Sequence, residues 1–276
     1  MNRLTQVILT TGAVIALVAV LFAGTLRWLA LSWLGNDYYS HGVLVPLVAV
    51  WLMWRRRDAL AAARPTPLAL GLVAVGVGLH LVALPMQMAV VSAAALVLVI
   101  IGLVWTFAGW PVVRAWAFPL LFLAAMIPLP GIERLSPQLE AFTATWAARA
   151  AQILGVAAVN VGGQVAVNDQ AFTVGAPCSG LRSVVALGTL AVLFAYSVRG
   201  PWWGRALIVA SALPIALAAN LARVSSIFWV AQTLGGEAAL GFFHTLASPL
   251  LFLVALALLI LLGRAVRCGQ LRPEAW

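Results

Sequence analysis

The chain has 276 residues, 64% of them hydrophobic and only 8% charged, and its formal charge of +9 comes from arginine alone. Soluble domains carry about a quarter charged residues, so a soluble globular enzyme is excluded. The arginines sit at the ends of apolar runs, the pattern of membrane topology control rather than of nucleic-acid binding.

Spans of about 20 apolar residues are the unit to look for, and eight segments qualify in outline: Leu4–Leu26, His41–Trp54, Leu68–Leu84, Met88–Ala108, Val112–Leu129, Ser179–Val198, Arg205–Ala222 and Thr245–Gly263. The first has the basic start and apolar stretch of a signal peptide, but it is long enough to span and is read as a retained helix. With the N-terminus on the cytoplasmic side, most arginines, among them Arg55, Arg56, Arg57, Arg264 and Arg267, also fall on that side. That bias supports eight spans with both ends inside. Between the first two spans lies the outer loop "NDYYSHGVLVP", with Ser40 and His41.

The longest interruption is 130–178. Leu135, Leu139, Phe142, Trp146 and Ile153 form an apolar stripe, which predicts an amphipathic helix in the outer interface. Alternation around Gly162-Gly163 and Asn168-Asp169 then predicts two or three short strands with tight turns. The expected fold is an all-α polytopic membrane protein of about eight transmembrane helices. An amphipathic interfacial helix and a small β-hairpin-like cap complete it on the outer face, and residues 1–276 form one integral-membrane domain.

This topology brings three unusual groups to the outer face. Cys178 begins the sixth span in "APCSGLRS", Arg223 follows the seventh in "NLARV", and His244 precedes the eighth in "FFH". A thiolate is the reactive form of cysteine, and unpaired N–H groups at a helix start favour an anion. A fixed guanidinium at Arg223 can hold a thiolate or an oxyanion. His244 can take the thiol proton and return it to a leaving amine. Asn220, one turn before Arg223, can orient it or donate to the oxyanion. Arg182, one turn inside from Cys178, can supply a second positive charge or bind a substrate carboxylate. Gly180 leaves room for a substrate backbone. His41 is a rival general base. Cys178 and Cys268 fall on opposite sides of the membrane and do not form a disulfide. No Cys/His cluster has zinc spacing, and no metal or cofactor is called for.

"YSHGVLVP", "APCSGLRS", "NLARV" and "FFH", in that order, resemble the exosortases, the bacterial counterparts of archaeosortases, over most of the chain. The resemblance implies a polytopic inner-membrane cysteine transpeptidase with its active site on the periplasmic face. Its partner would be an exported protein carrying a C-terminal signal: a short motif, often Pro-Glu-Pro, then a transmembrane helix, then a basic cluster. It also implies Cys178, Arg223 and His244 as the catalytic set, with Arg182 as the arginine that follows the cysteine. The acceptor would be an amine, a glycan, a lipid or water, within a shell of membrane lipids. The chain departs from the family at Ser248, before Pro249, where members often show glycine. Two other readings stand beside this one. The first is a non-catalytic transporter or scaffold whose Arg and His bind an anionic or lipid ligand. The second is a hydrolase using Ser179 or Ser40 with His41, which lacks a Gly-x-Ser-x-Gly elbow.

Overall fold

The computed structural model describes residues 3–168, 170–175, 178–239, 241 and 244–272, with the side chains of 3, 4, 7, 8 and 244–246 outside the description. The chain divides into two compact units, Met1–Leu129 and Pro130–Trp276.

The first unit opens with α1 (Arg3–Leu21) and α2 (Ala23–Gly35), which meet at a 72° bend rather than forming the single span expected to end at Leu26. The cause lies at Phe22. The Leu21 carbonyl accepts from His80 Nε2 at 3.1 Å, and the His80 ring lies against Phe22, tilted by 33°, with centroids 4.0 Å apart. A side chain inserted into the carbonyl ladder is a regular cause of a sharp kink. His80 Nδ1 in turn lies 2.7 Å from Ser92 Oγ, which is bonded to Thr25. A 3-10 segment (Asp37–Val43) leads into α3 (Leu44–Arg55), only 12 residues long. Next come α4 (Leu70–Ala83) and α5 (Ala89–Ala108), packed as a hairpin.

The span expected at Val112–Leu129 is broken into α6 (Trp110–Ala115), α7 (Ala117–Phe122) and a 3-10 turn over Leu123–Met126. Pro119 explains the break. It lacks an N–H, and its ring opposes the carbonyl of residue 115 in a continuous helix.

The second unit begins with α8 (Ser136–Ile153). The amphipathic helix is therefore present, and its polarity is instructive. The small face of Thr143, Ala144, Ala147, Ala148 and Ala151 is buried, while Leu135, Phe142, Trp146 and Ile153 point outward. The large apolar side chains are thus exposed, and the alanines let α8 pack closely on its neighbours. β1 (Ala158–Val161), β2 (Gln164–Val167) and β3 (Gln170–Thr173) form an antiparallel sheet in sequence order. Gly162 and Gly163, both with positive φ, make the first turn. Asn168 (φ 53°) enters the second, and Asp169 lies outside the described residues.

Next are α9 (Leu181–Ser197), β4 (Val198–Arg199), α10 (Trp202–Leu234), α11 (Gly236–Ala238), α12 (His244–Ala265) and β5 (Gln270–Leu271), which pairs with β4. The seventh span was expected to end at Ala222, but α10 continues for 33 residues in all. At 1.5 Å per residue it is about 50 Å long, well beyond a hydrocarbon core of about 30 Å. Its length divides between two cores. Ile208, Ala212 and Ala216 pack with Leu187, Ala191 and Leu259 of α9 and α12. Val224, Ile227, Phe228 and Val230 pack instead with α8 and the sheet. Asn220 and Arg223 fall between the two cores.

Among the described residues three helices are long and apolar enough to cross a membrane: α5, α10 and α12 over Ala247–Ala265. The bent α1–α2 pair is a fourth if counted as one span. The remaining apolar helices are shorter than the spans expected, because prolines and turns cut them.

Candidate active site

Cys178 lies just before α9, half-buried, and packs against the cap core of α8, the sheet and α10. It does not begin the helix. Gly180 is the N-cap (φ +79°), and Ser179 precedes it, fully buried, its Oγ accepting from the Leu181 N–H at 3.3 Å. Ser179 is thus occupied with closing the turn into α9. The Cys178 N–H donates to the Gly175 carbonyl at 2.7 Å. Pro177 lies outside the described residues.

Arg223 supplies the positive charge that acts on the sulfur. The two residues are 45 positions apart in sequence and meet because α10 runs on past the span. Burial raises the Cys178 thiol above its ordinary value. Arg223 opposes that rise by its charge, and Glu140 on α8 adds to it. Glu140 is itself held by Ser136, whose Oγ donates to Oε1 at 2.8 Å.

Asn220 is buried at 3% exposure. Its Nδ2 donates to the Cys178 carbonyl at 2.9 Å and to Thr143 Oγ1 at 3.3 Å. The amide therefore fixes the backbone of the cysteine itself. The same geometry reassigns Gly180. A Cβ at this position would lie 2.9 Å from Asn220 Cγ, so the space made by the glycine is filled by Asn220 rather than left for a substrate.

Arg182 is exposed on the first turn of α9 and close enough to Arg223 for the two charges to repel. The backbone of His244 opens α12, and its side chain lies outside the described residues. Four residues on, Ser248 Oγ accepts from Arg223 Nη1 at 3.0 Å. His41 belongs to the first unit, half-buried in the 3-10 segment. Burial lowers its imidazole below the ordinary value, against backbone bonds to Ala125 and Tyr38 that raise it.

Glu140, Thr143 and Ser248 were not singled out as site groups from sequence. Glu140 and Thr143 lie on a helix whose large apolar stripe drew attention to its other face. Ser248 registered only as a departure from glycine.

The transmembrane exosortase family model (Exosortase_EpsH) matches residues 28–261. The chain belongs to the transmembrane exosortases. Its apolar helices agree with a membrane protein, and the exosortases are a family of membrane transpeptidases that act on sorting-signal substrates. No curated protein and no solved structure matches the chain.

Proposed function

We propose that this exosortase is a cysteine transpeptidase that recognises a C-terminal tripartite sorting signal of exported proteins and cleaves it at the periplasmic face of the inner membrane. The signal consists of a short Pro-Glu-Pro-like motif, a transmembrane helix and a basic tail. The chain would act as one integral-membrane domain over 1–276, with about eight spans and both termini cytoplasmic. The arginine distribution supports that topology.

The observation that carries the reading is the convergence on one place of Cys178, whose carbonyl is held by Asn220, and the buried Arg223 guanidinium, whose charge acts on the thiol. Burial raises the Cys178 thiol above its ordinary value, and a proton acceptor assists the attack. His244 is the assigned base, and its position one helical turn before Ser248, which itself bonds Arg223, supports the assignment. His244 takes the thiol proton as the sulfur attacks the scissile carbonyl, forming a C–S bond and a tetrahedral oxyanion. Arg223 balances that negative charge. Collapse breaks the C–N bond, and the proton passes from His244 to the departing amine. The resulting thioester is then attacked by an amine, a glycan or lipid hydroxyl, or water, which releases the Cys178 thiolate to be reprotonated. Asn220 holds the Cys178 backbone throughout, and Arg182 is the group assigned to a substrate carboxylate.

Replacing Cys178 by Ala is expected to leave the protein inserted and folded and to abolish removal of the tag. This is measured as the mobility shift of a tagged substrate in membranes. Processing at the wild-type rate by Cys178→Ala would refute the assignment.

A further inference from the structure

The guanidinium of Arg223 is held from two directions. On one side is the sulfur of Cys178. On the other is Ser248 on α12, whose Oγ accepts from Nη1 at 3.0 Å. Beside Arg223 and Ser248 lies a cavity of about 20 Å³, also lined by Ser183 and Leu187 of α9, Asn220 of α10 and Leu251 of α12. That volume admits about one water molecule, too little for a ligand but enough to let a long side chain drift.

Arginine has five N–H donors in a rigid fork on a flexible stem. Fixing one nitrogen therefore decides where the other donors point. The anchor is a neutral hydroxyl. It holds the fork without neutralising its charge, which a carboxylate at the same place would do.

We propose that Ser248 is a positioning residue, whose hydroxyl, carried on α12, holds Nη1 of Arg223 so that the rest of the guanidinium faces Cys178. The proposal rests on the reading of Cys178 as nucleophile and extends it to α12. The helix that carries His244 also aims the arginine, so proton acceptor and positive charge are set by one element.

The charged groups that act on the thiol are Arg223 from α10 and Glu140 from α8. Arg182 from α9 acts on Arg223. From α12 comes the uncharged Ser248, with the His244 side chain outside the described residues. In Ser248→Ala every one of these charged groups is retained and only the anchor is lost.

The test uses the full chain in detergent. The rate of iodoacetamide labelling at Cys178 is followed against pH by mass spectrometry of the peptide that carries it. The buried Cys268, which packs in the other core cluster, serves as the internal measure of folding. In Ser248→Ala the apparent thiol pKa is expected to rise by about one pH unit, so that labelling near neutral pH slows about tenfold. Ser248→Thr, which restores the hydroxyl, is expected to return within about twofold of wild type, given that a retained acceptor keeps the bond. Tag processing in Ser248→Ala should fall in kcat with KM little changed. An unchanged labelling profile in Ser248→Ala overturns the proposal. So does slowed processing with an unchanged profile, because Ser248 would then merely pack. Tag processing by Cys178→Ala would instead end the transpeptidase reading, and the labelling profile would still decide the role of Ser248.

Discussion

Gly180 and Asn220 form one structural unit, and a double-mutant cycle exposes it. In Gly180→Ala the backbone must hold an alanine at φ +79°, a left-handed conformation that costs about 1–2 kcal/mol. The new Cβ also arrives 2.9 Å from Asn220 Cγ and Nδ2, well inside the ordinary carbon contact of about 3.5–4.0 Å. Asn220 must then move and give up its 2.9 Å bond to the Cys178 carbonyl, a further loss of about 1 kcal/mol. Gly180→Ala should therefore destabilise by about 2–3 kcal/mol. Asn220→Ala removes the bonds to Cys178 and Thr143. It also deletes Oδ1, which is buried with no partner among the described residues, so its net cost is about 1–2 kcal/mol. In the double variant the methyl at 180 meets no amide, and only the backbone strain remains. The double variant should thus be about 1 kcal/mol less destabilised than the sum of the singles. Unfolding by SDS in mixed micelles, followed through the fluorescence of the 12 tryptophans, measures all three variants. Additive costs, within about 0.3 kcal/mol, would show that Asn220 is not what the glycine accommodates.

Two further outcomes follow from the same contacts. The Glu140 charge raises the Cys178 thiol, so Glu140→Gln, which keeps an acceptor for Ser136, should lower the apparent thiol pKa. Alkylation near neutral pH should then be about two- to fivefold faster, and slower labelling would contradict the electrostatic reading. In the first unit His80→Phe retains a ring against Phe22 but orphans the Leu21 carbonyl. A loss of about 2 kcal/mol in the same SDS titration is expected, and a cost below about 0.5 kcal/mol would mean that His80 does not hold the bend.

Much of the cap was legible in the sequence because its signals are local. Gly162-Gly163 and Asn168 mark turns by their backbone needs, and alternation gave the strands between them. The stripe of α8 gave a helix, yet which face packs inward was decided by its partners. Alanines let α10 and β1 approach, while the large residues stay exposed. The outer-face placement of Cys178 and Arg223 was argued from arginine topology, but their contact depends on α10 running past its span. Arg223, Ser225 and Ser226 read as the polar end of a span, and only the packing of Val224, Ile227 and Phe228 into the cap core shows that the helix continues. The break at 110–126 was signalled by Pro119, which a hydropathy reading smooths over. The bend at Phe22 depends on His80, nearly 60 positions away, and a long-range contact of this kind leaves no local trace. Ser248 is the clearest case at the site. A serine in an apolar helix reads as incidental until the arginine it holds is seen.

The central claim is that Cys178 carries the acyl group while Arg223 steadies the charge. The most direct measurement is covalent capture: the purified full chain is mixed with a substrate ending in a short motif, an apolar helix and a basic tail, quenched in acid, and digested for mass spectrometry. The account predicts a hydroxylamine-labile thioester on the peptide containing Cys178, lost in Cys178→Ala and much reduced in Arg223→Gln. Tag removal with no adduct at Cys178, or with the acyl group on another side chain, would contradict it.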